Sequence, residues 1–358
     1  MNQGEVMTMR SLYRLIVFCL AICVLCPLAV GAQPAGQLVI LNWGDYLDPG
    51  LVVRFEAKFN VKVVQAFYLS DEARSEKLVE TGGRGYDLIL TSGIDLGKYA
   101  KRGWLAPLEV ERLSNLKHIS SRWRQGFAGS EQYGVPFSWG TTGIVYRADL
   151  VKTPITSWRQ FFEPEAELWG RLSMTGDSQD YVSMALKSLG YSANSEDREQ
   201  LKQVEKLLQA QKPHIRSYRY LSVRDDSAIV KGEVVVSMIY SGDALMLKEH
   251  NDQLTYVLPE EGGNVWVDYF VVGASCQNPE LAYAFLDFLN EPKNAAQQAL
   301  FSFSATPNLA AEKLLPKDFL ENSVIYPDQE SLKNSEFYRP LSARSQRLRN
   351  AIAARLTR

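Results

Sequence analysis

From Leu38 to Gly103 the hydrophobic period alternates between that of a strand and that of a helix, and this alternation limits the fold more than any other feature of the chain. "LVILNW" is an apolar run of strand length, and "PGLVVRFEAKFN" follows with Leu51, Val52, Phe55 and Phe59 at helical spacing. "VKVVQAFY" returns to strand character, and "SDEARSEKLVETGG" starts on a capping residue and stops on glycines. "YDLILTS" is another buried run and "IDLGKYAKRG" a further helix. A β-α-β-α-β order predicts an α/β fold, a mainly parallel sheet flanked by helices. The style resumes from about Tyr146 to Leu258, where "TSWRQFFEP", "DSQDYVSMALKSLG" and "REQLKQVEKLLQAQK" read as helices. "SAIVKGEVVVSMIYSGDALML" reads as a helix end, a strand and a helix, and "ELAYAFLDFLN" and "NAAQQALFSF" are amphipathic. No repeat of fixed period occurs, and no disordered linker separates the regions.

The chain has 358 residues, enough for two lobes with sizeable cores. Its 46% hydrophobic and 22% charged residues are ordinary for a globular protein, and a net charge of −2 argues against nucleic acid as a partner. Residues 1–32 read as an export signal: Arg10 and Arg14 precede the uncharged "LIVFCLAICVLCPLAVGA", with cleavage expected after Ala32. The alternative is an uncleaved anchor, because Leu15 to Ala32 just reaches spanning length; Pro27 and the "VGA" ending favour cleavage. Cys19, Cys23 and Cys26 lie in that segment and only Cys276 follows it, so no internal disulfide is expected in the exported chain.

Signatures of catalysis are weak. His118, His214 and His250 have no ligand spacing with one another or with a cysteine, which assigns no metal site. A nucleophile elbow and a P-loop are absent, and "GGRGYD" lacks the spacing of a dinucleotide fingerprint, so no cofactor is implied. The best enzymatic alternative is a pair of carboxylates acting as a hydrolase, which predicts turnover of a sugar or amide substrate.

Acids set beside aromatic rings at strand ends are more informative. Trp43, Asp45 and Tyr46 follow the run "LVIL", and the pattern Trp-x-Asp-Tyr returns at Trp266, Asp268 and Tyr269. In a strand Trp266 and Asp268 point to the same side. Tyr240 ends the strand-like "EVVVSMIY" and Asp243 opens the next segment. Asp177 and Asp180 are close to a capping box, which by itself explains both acids, and carboxylates at a helix N-terminus are expected to stay ionised. Ring faces attract cations and carboxylates form charge-assisted bonds to ammonium groups. Acids spread along a ring-lined cleft therefore suit a linear aliphatic di- or polycation, whereas a metal site needs clustered oxygen ligands.

In order along the chain, "LNWGDYLDPGLVVRFE", "YDLILTSGIDLGKYAKRGWL", "YGVPFSWGTTGIVYR", "DSQDYVSMALKSLGYSANS", "GEVVVSMIYSGDA", "LPEEGGNVWVDYFVV", "TPNLAAEKLL" and "YPDQESLKN" resemble the periplasmic spermidine/putrescine-binding proteins of bacterial ABC importers. The resemblance implies a two-lobed type II periplasmic-binding fold with a ligand cleft between the lobes. Lobe one is expected at residues 33–140 plus 267–315 and lobe two at 141–266 plus 316–358. It further implies that Trp43, Asp45, Tyr46, Ser92, Asp177, Asp180, Tyr240, Asp243, Trp266 and Asp268 bind the ligand, with Asp268 holding an ammonium. Tyr240 stands where the family usually has Trp, Ile94 where spermidine-type members often have Tyr, and Tyr338 where some have Gln; these departures bear on the preferred chain length.

The implied partners are a polyamine and an inner-membrane ABC permease, with the protein a periplasmic monomer. The alternative output is a membrane-bound sensor protein that reads ligand occupancy. The acid-free C-terminal stretch "YRPLSARSQRLRNAIAARLTR" fits either a docking surface or a solvated terminal helix.

Overall fold

The computed structural model describes residues 36–356. The expected export signal, its cleavage point after Ala32 and the three cysteines within it lie outside the described residues. Among those described, no helix is long and apolar enough to cross a membrane, and Cys276 is free and half-buried.

The strands form one nine-stranded sheet in the order β2-β1-β3-β9-β4-β7-β5-β6, with β8 also paired to β4. They are β1 (Gln37–Trp43), β2 (Lys62–Tyr68), β3 (Leu88–Ser92), β4 (Gly134–Arg147), β5 (Leu172–Ser173), β6 (Ile215–Ser217), β7 (Val236–Tyr240), β8 (Leu254–Val257) and β9 (Val265–Val272). Pairs β1–β2, β1–β3, β5–β6 and β5–β7 are parallel, as β-α-β order requires. The strands that cross the middle, β4 and β9, pair antiparallel with each other and with their other neighbours. The longer helices are α1 (Pro49–Phe59), α2 (Asp71–Thr81), α3 (Ser178–Ser188), α4 (Arg198–Gln211), α5 (Ser241–Lys248), α6 (Pro279–Leu289), α7 (Pro292–Ser302) and α8 (Ala343–Leu356).

Local chemistry sets the boundaries. α1 has Pro49 in its first turn, where a missing N–H costs nothing, and Asp48 accepts from Gly50 N at 2.7 Å. α2 is capped by Ser70, which accepts from Ala73 N at 3.0 Å, and stops where Gly82 turns left-handed at φ 64°. One expectation fails. The segment before β7, read as a helix end, makes turns only, because Gly232 at φ 77° swings the chain into the strand.

Each half of the sheet is buried on both faces. Leu38 and Ile40 of β1, Leu88 and Leu90 of β3 and Phe270 of β9 pack in one core with α1 and α6. Their alternates Leu41, Ile89, Tyr269 and Val271 pack in another with α7. In the other half Ile144, Val236 and Met238 face α3 and α4, while Val145 and Ile239 face α5. The two halves meet in β4. Residues 134–141 of this strand pair with β9, and from Thr142 onward it pairs with β7 and β8. The fold is thus a two-lobed α/β structure, and the carboxyl ends of β1, β3 and β7 lead into the acids described below.

Candidate functional site

β9 supplies the centre. Asp268 lies opposite Ser92 of β3 and Ser138 of β4, and Trp266, two residues earlier, shares its face. Trp266 lies over Gly140: a Cβ there would come 2.4 Å from the indole Cζ2, so only glycine admits the ring. Tyr46 reaches in from the end of β1, donating to Asp268 Oδ2 at 2.9 Å and bonding the Ser138 hydroxyl.

The other half contributes a second group. Tyr240, at the end of β7, donates to Asp180 Oδ2 at 2.8 Å, and Tyr338 donates to Asp180 Oδ1 at 2.8 Å. The Tyr240 ring meets Trp266 edge-on at 6.0 Å and stacks on Tyr220 at 5.3 Å. Tyr220 in turn hydrogen-bonds Asp243. A wall of rings thus runs from the Asp268 side to the Asp180 side, with Asp243 behind it.

Helix α2 brings residues that sequence reasoning missed. Ser92 donates to Asp71 Oδ2 at 3.0 Å, and Asp71 pairs with Arg74. Arg74 is fully buried, bonds Asp95 Oδ2 at 2.6 Å and lies 5.3 Å from the centre of the Tyr68 ring. Asp71 and Glu72 lie in the first turn of α2 with Arg74 three residues after Asp71, an arrangement common on surface helices, and Tyr220 lies outside any strand or helix, so local sequence carries no signal for them.

Asp177 and Asp180 correct the capping-box reading. Asp177 occupies the N-cap position of α3 but makes no side-chain bond to its own helix. Its Oδ1 accepts instead from Asp71 N of α2 at 2.8 Å, while Glu72 Oε1 accepts from Ser178 N of α3 at 2.8 Å. The expectation of fully ionised acids fails as well. Burial pushes Asp180 up to about 7, Asp268 up to about 7 and Asp243 up to about 6. Burial and then Glu72 hold Asp177 well above the carboxylate range. Glu72 lies below it, because bonds from Asp177 and Ser178 outweigh the effect of burial. Desolvation therefore outweighs the helix dipole, which the sequence argument had placed first.

Asp45 and Trp43 stand outside this group. Asp45 is exposed at φ 54° and forms an ion pair with Arg224 at 2.9 Å, linking the end of β1 to the loop before β7. Trp43 packs on Tyr68 at 4.6 Å. The two Trp-x-Asp-Tyr sequences are therefore not equivalent: the second places its ring and acid in the cluster, the first only its Tyr46. Among the described residues no three acids, histidines or cysteines converge as a metal site would require.

Separated carboxylates and rings where the two halves of an α/β fold meet suit a solute-binding protein. Residues 50–324 match the model of the bacterial extracellular solute-binding protein family, and the chain belongs to that family. It is 31% identical over 88% of its length, and over 90% of the relative, to a spermidine/putrescine-binding periplasmic protein of Escherichia coli. A putrescine/agmatine-binding protein of Pseudomonas aeruginosa is 28% identical over 88% of this chain and 90% of that one. Among solved structures, a spermidine/putrescine ABC transporter substrate-binding protein from Streptococcus pneumoniae matches with TM-score 0.75 and 30% identity, covering 90% of this chain and 99% of that chain.

Proposed function

We propose that the protein binds a linear polyamine of the putrescine, spermidine and norspermidine class in the periplasm and passes it to an ABC importer. The observation that carries this reading is the row of Asp268, Trp266, Tyr240 and Asp180, in which two buried acids are separated by rings. An ammonium about 4 Å from such a carboxylate gains roughly 4 kcal/mol at an effective dielectric constant near 20. The ring faces cover the methylenes between two ammoniums and add cation–π attraction. All of the named relatives bind polyamines by name, which supports the same class here.

The ligand set we assign is Tyr46, Ser92, Asp177, Asp180, Tyr240, Asp243, Trp266 and Asp268, with Trp43 and Asp45 at the rim. Lobe one would comprise residues up to 140 and from 267, lobe two residues 141–266, in keeping with the change of partner along β4. Phe319 and Ile325 share a core with β3 and β9, whereas Tyr338 and Ile352 share one with α3, which favours a last crossing near 337 over one at 315. Calorimetric titration with putrescine, cadaverine, spermidine, norspermidine and spermine, after bound ligand is stripped, tests the function; no heat from any of them overturns it. Loss of polyamine uptake on gene deletion supports delivery to a permease, and unchanged uptake supports the sensor output instead.

A further inference from the structure

Arg74 is fully buried on α2, a place where a helix packed on a sheet ordinarily turns an apolar side chain. Burying a cation is costly unless its donors are met, and here they are met by two acids and two tyrosines. Nη1 donates to Asp71 Oδ1, Nη2 to Asp95 Oδ2 at 2.6 Å and Nε to the Tyr99 hydroxyl at 3.2 Å. The rings of Tyr68 and Tyr99 are centred 5.3 and 5.8 Å from the guanidinium. Asp95 has a second cation in Lys98, at 3.3 Å; among the described residues Asp71 pairs with Arg74 alone. Asp71 also stands among the residues assigned to the ligand. Its Oδ2 accepts from Ser92 Oγ at 3.0 Å, and Ser92 lies opposite Asp268 in the β3–β9 register. Its backbone N–H donates to Asp177 Oδ1 at 2.8 Å. The Asp71 side chain is 34% exposed, so the acid is reachable while its cation is not.

We propose that Arg74 is a specificity-determining residue: its guanidinium masks Asp71, an acid beside the ligand cleft, and so disfavours the more highly charged polyamines. The inference rests on the proposed polyamine function. Both Asp71 oxygens are taken by donors of this chain, one by Arg74 and one by Ser92. An arginine keeps its charge at any working pH, so the mask is permanent. It acts twice. An ammonium that reached Asp71 would have to displace a guanidinium held by Asp95, Tyr68 and Tyr99 as well. The guanidinium also repels every ammonium in the cleft, and this repulsion grows with the number of charges on the ligand. A residue that only supports the fold has no such dependence on ligand charge.

The test is calorimetric titration of the protein, stripped of bound ligand, with putrescine, spermidine and spermine at pH 8, above the values near 7 to which burial lifts Asp180 and Asp268. The quantity read is the ratio of spermine to putrescine affinity. Arg74→Met unmasks Asp71 and is expected to raise the ratio about tenfold over wild type. Asp71→Asn keeps hydrogen-bonding atoms for Arg74 and Ser92 while removing the charge, and is expected to lower the ratio about tenfold. Arg74→Lys retains the cation and should stay near wild type, and adding Asp71→Asn to Arg74→Met should cancel the gain. Ratios unchanged in Arg74→Met and Asp71→Asn, with all three affinities scaled alike, overturn the proposal and leave the polyamine function standing. If Arg74→Met does not fold, Asp71→Asn decides: a lowered ratio supports the proposal and an unchanged one overturns it. A wild type that binds none of the three amines overturns the polyamine function and this proposal with it.

Discussion

Asp177 and Glu72 each complete the other's helix: Asp177 accepts from the first N–H of α2, and Glu72 accepts from the first N–H of α3. The two N-termini therefore face one another across the lobes, each supplied with an acid from the opposite side. Because Asp177 is held well above the carboxylate range and Glu72 below it, the pair predicts unequal responses to neutralisation. Asp177→Asn preserves an acceptor for Asp71 N, and is expected to change stability by less than about 0.5 kcal/mol. Glu72→Ala removes the cap of α3 and is expected to cost about 1 kcal/mol, read from denaturant unfolding. Equal losses in the two variants would contradict this ordering.

Asp268→Ala is expected to weaken spermidine binding by about 2–5 kcal/mol, the cost of leaving an ammonium without its buried partner. Asp45→Ala is expected to weaken it by no more than about threefold, because an exposed ion pair with Arg224 is screened by solvent. Isothermal titration of both variants ranks the two Trp-x-Asp-Tyr copies; a larger loss at Asp45 would reverse the ranking.

Binding should tighten with rising pH. Asp180 and Asp268 ionise near 7 and Asp243 near 6, so below these values a polyamine must displace protons before pairing. Affinity is therefore expected to rise from pH 6 to pH 8, with net proton release seen as a dependence of binding heat on buffer ionisation enthalpy. The stability of the protein alone has the opposite sign. A carboxyl with a raised folded value binds its proton more tightly when folded, so its contribution is greatest below the unfolded value near 4 and is lost as pH rises toward 7. The melting temperature without polyamine should fall over that interval, and the increment given by spermidine should grow.

Gly140→Ala tests the seating of Trp266. The new methyl would lie 2.4 Å from the indole and 2.6 Å from Ser241 Oγ, so the ring must move. Overpacking of this kind costs roughly 1–3 kcal/mol. Spermidine affinity should fall with the circular dichroism spectrum unchanged, and wild-type affinity would show that the ring position is immaterial.

Strands and helices were legible because both faces of the sheet are buried, which leaves continuous runs such as "LVIL" and "EVVVSMIY" between amphipathic helices. The central acid, Asp268, was legible for a related reason, since its strand fixes the direction of Trp266. Asp71, Glu72 and Arg74 were not, because their role depends on a helix from the other lobe meeting α2 end to end, a relation absent from local pattern. The ionisation of Asp177 and Asp180 was misread on the same account: helix dipoles are visible in sequence, whereas the depth of burial that outweighs them is set by the assembled halves. Asp45 resembled Asp268 in sequence and differs in place because its left-handed backbone turns it to Arg224.

Arg74 sets the valence of the site. As a permanent cation lodged between Asp71 and Asp95, with Lys98 also paired to Asp95 at 3.3 Å, it is a resident counter-ion that no ligand has to supply. Asp177 and Glu72 are engaged with helix N-termini. The carboxyls left to be neutralised from outside are Asp180, Asp243 and Asp268. By this count a diamine or triamine leaves no ammonium unmatched, whereas a tetra-amine brings one charge more than the free acids can balance.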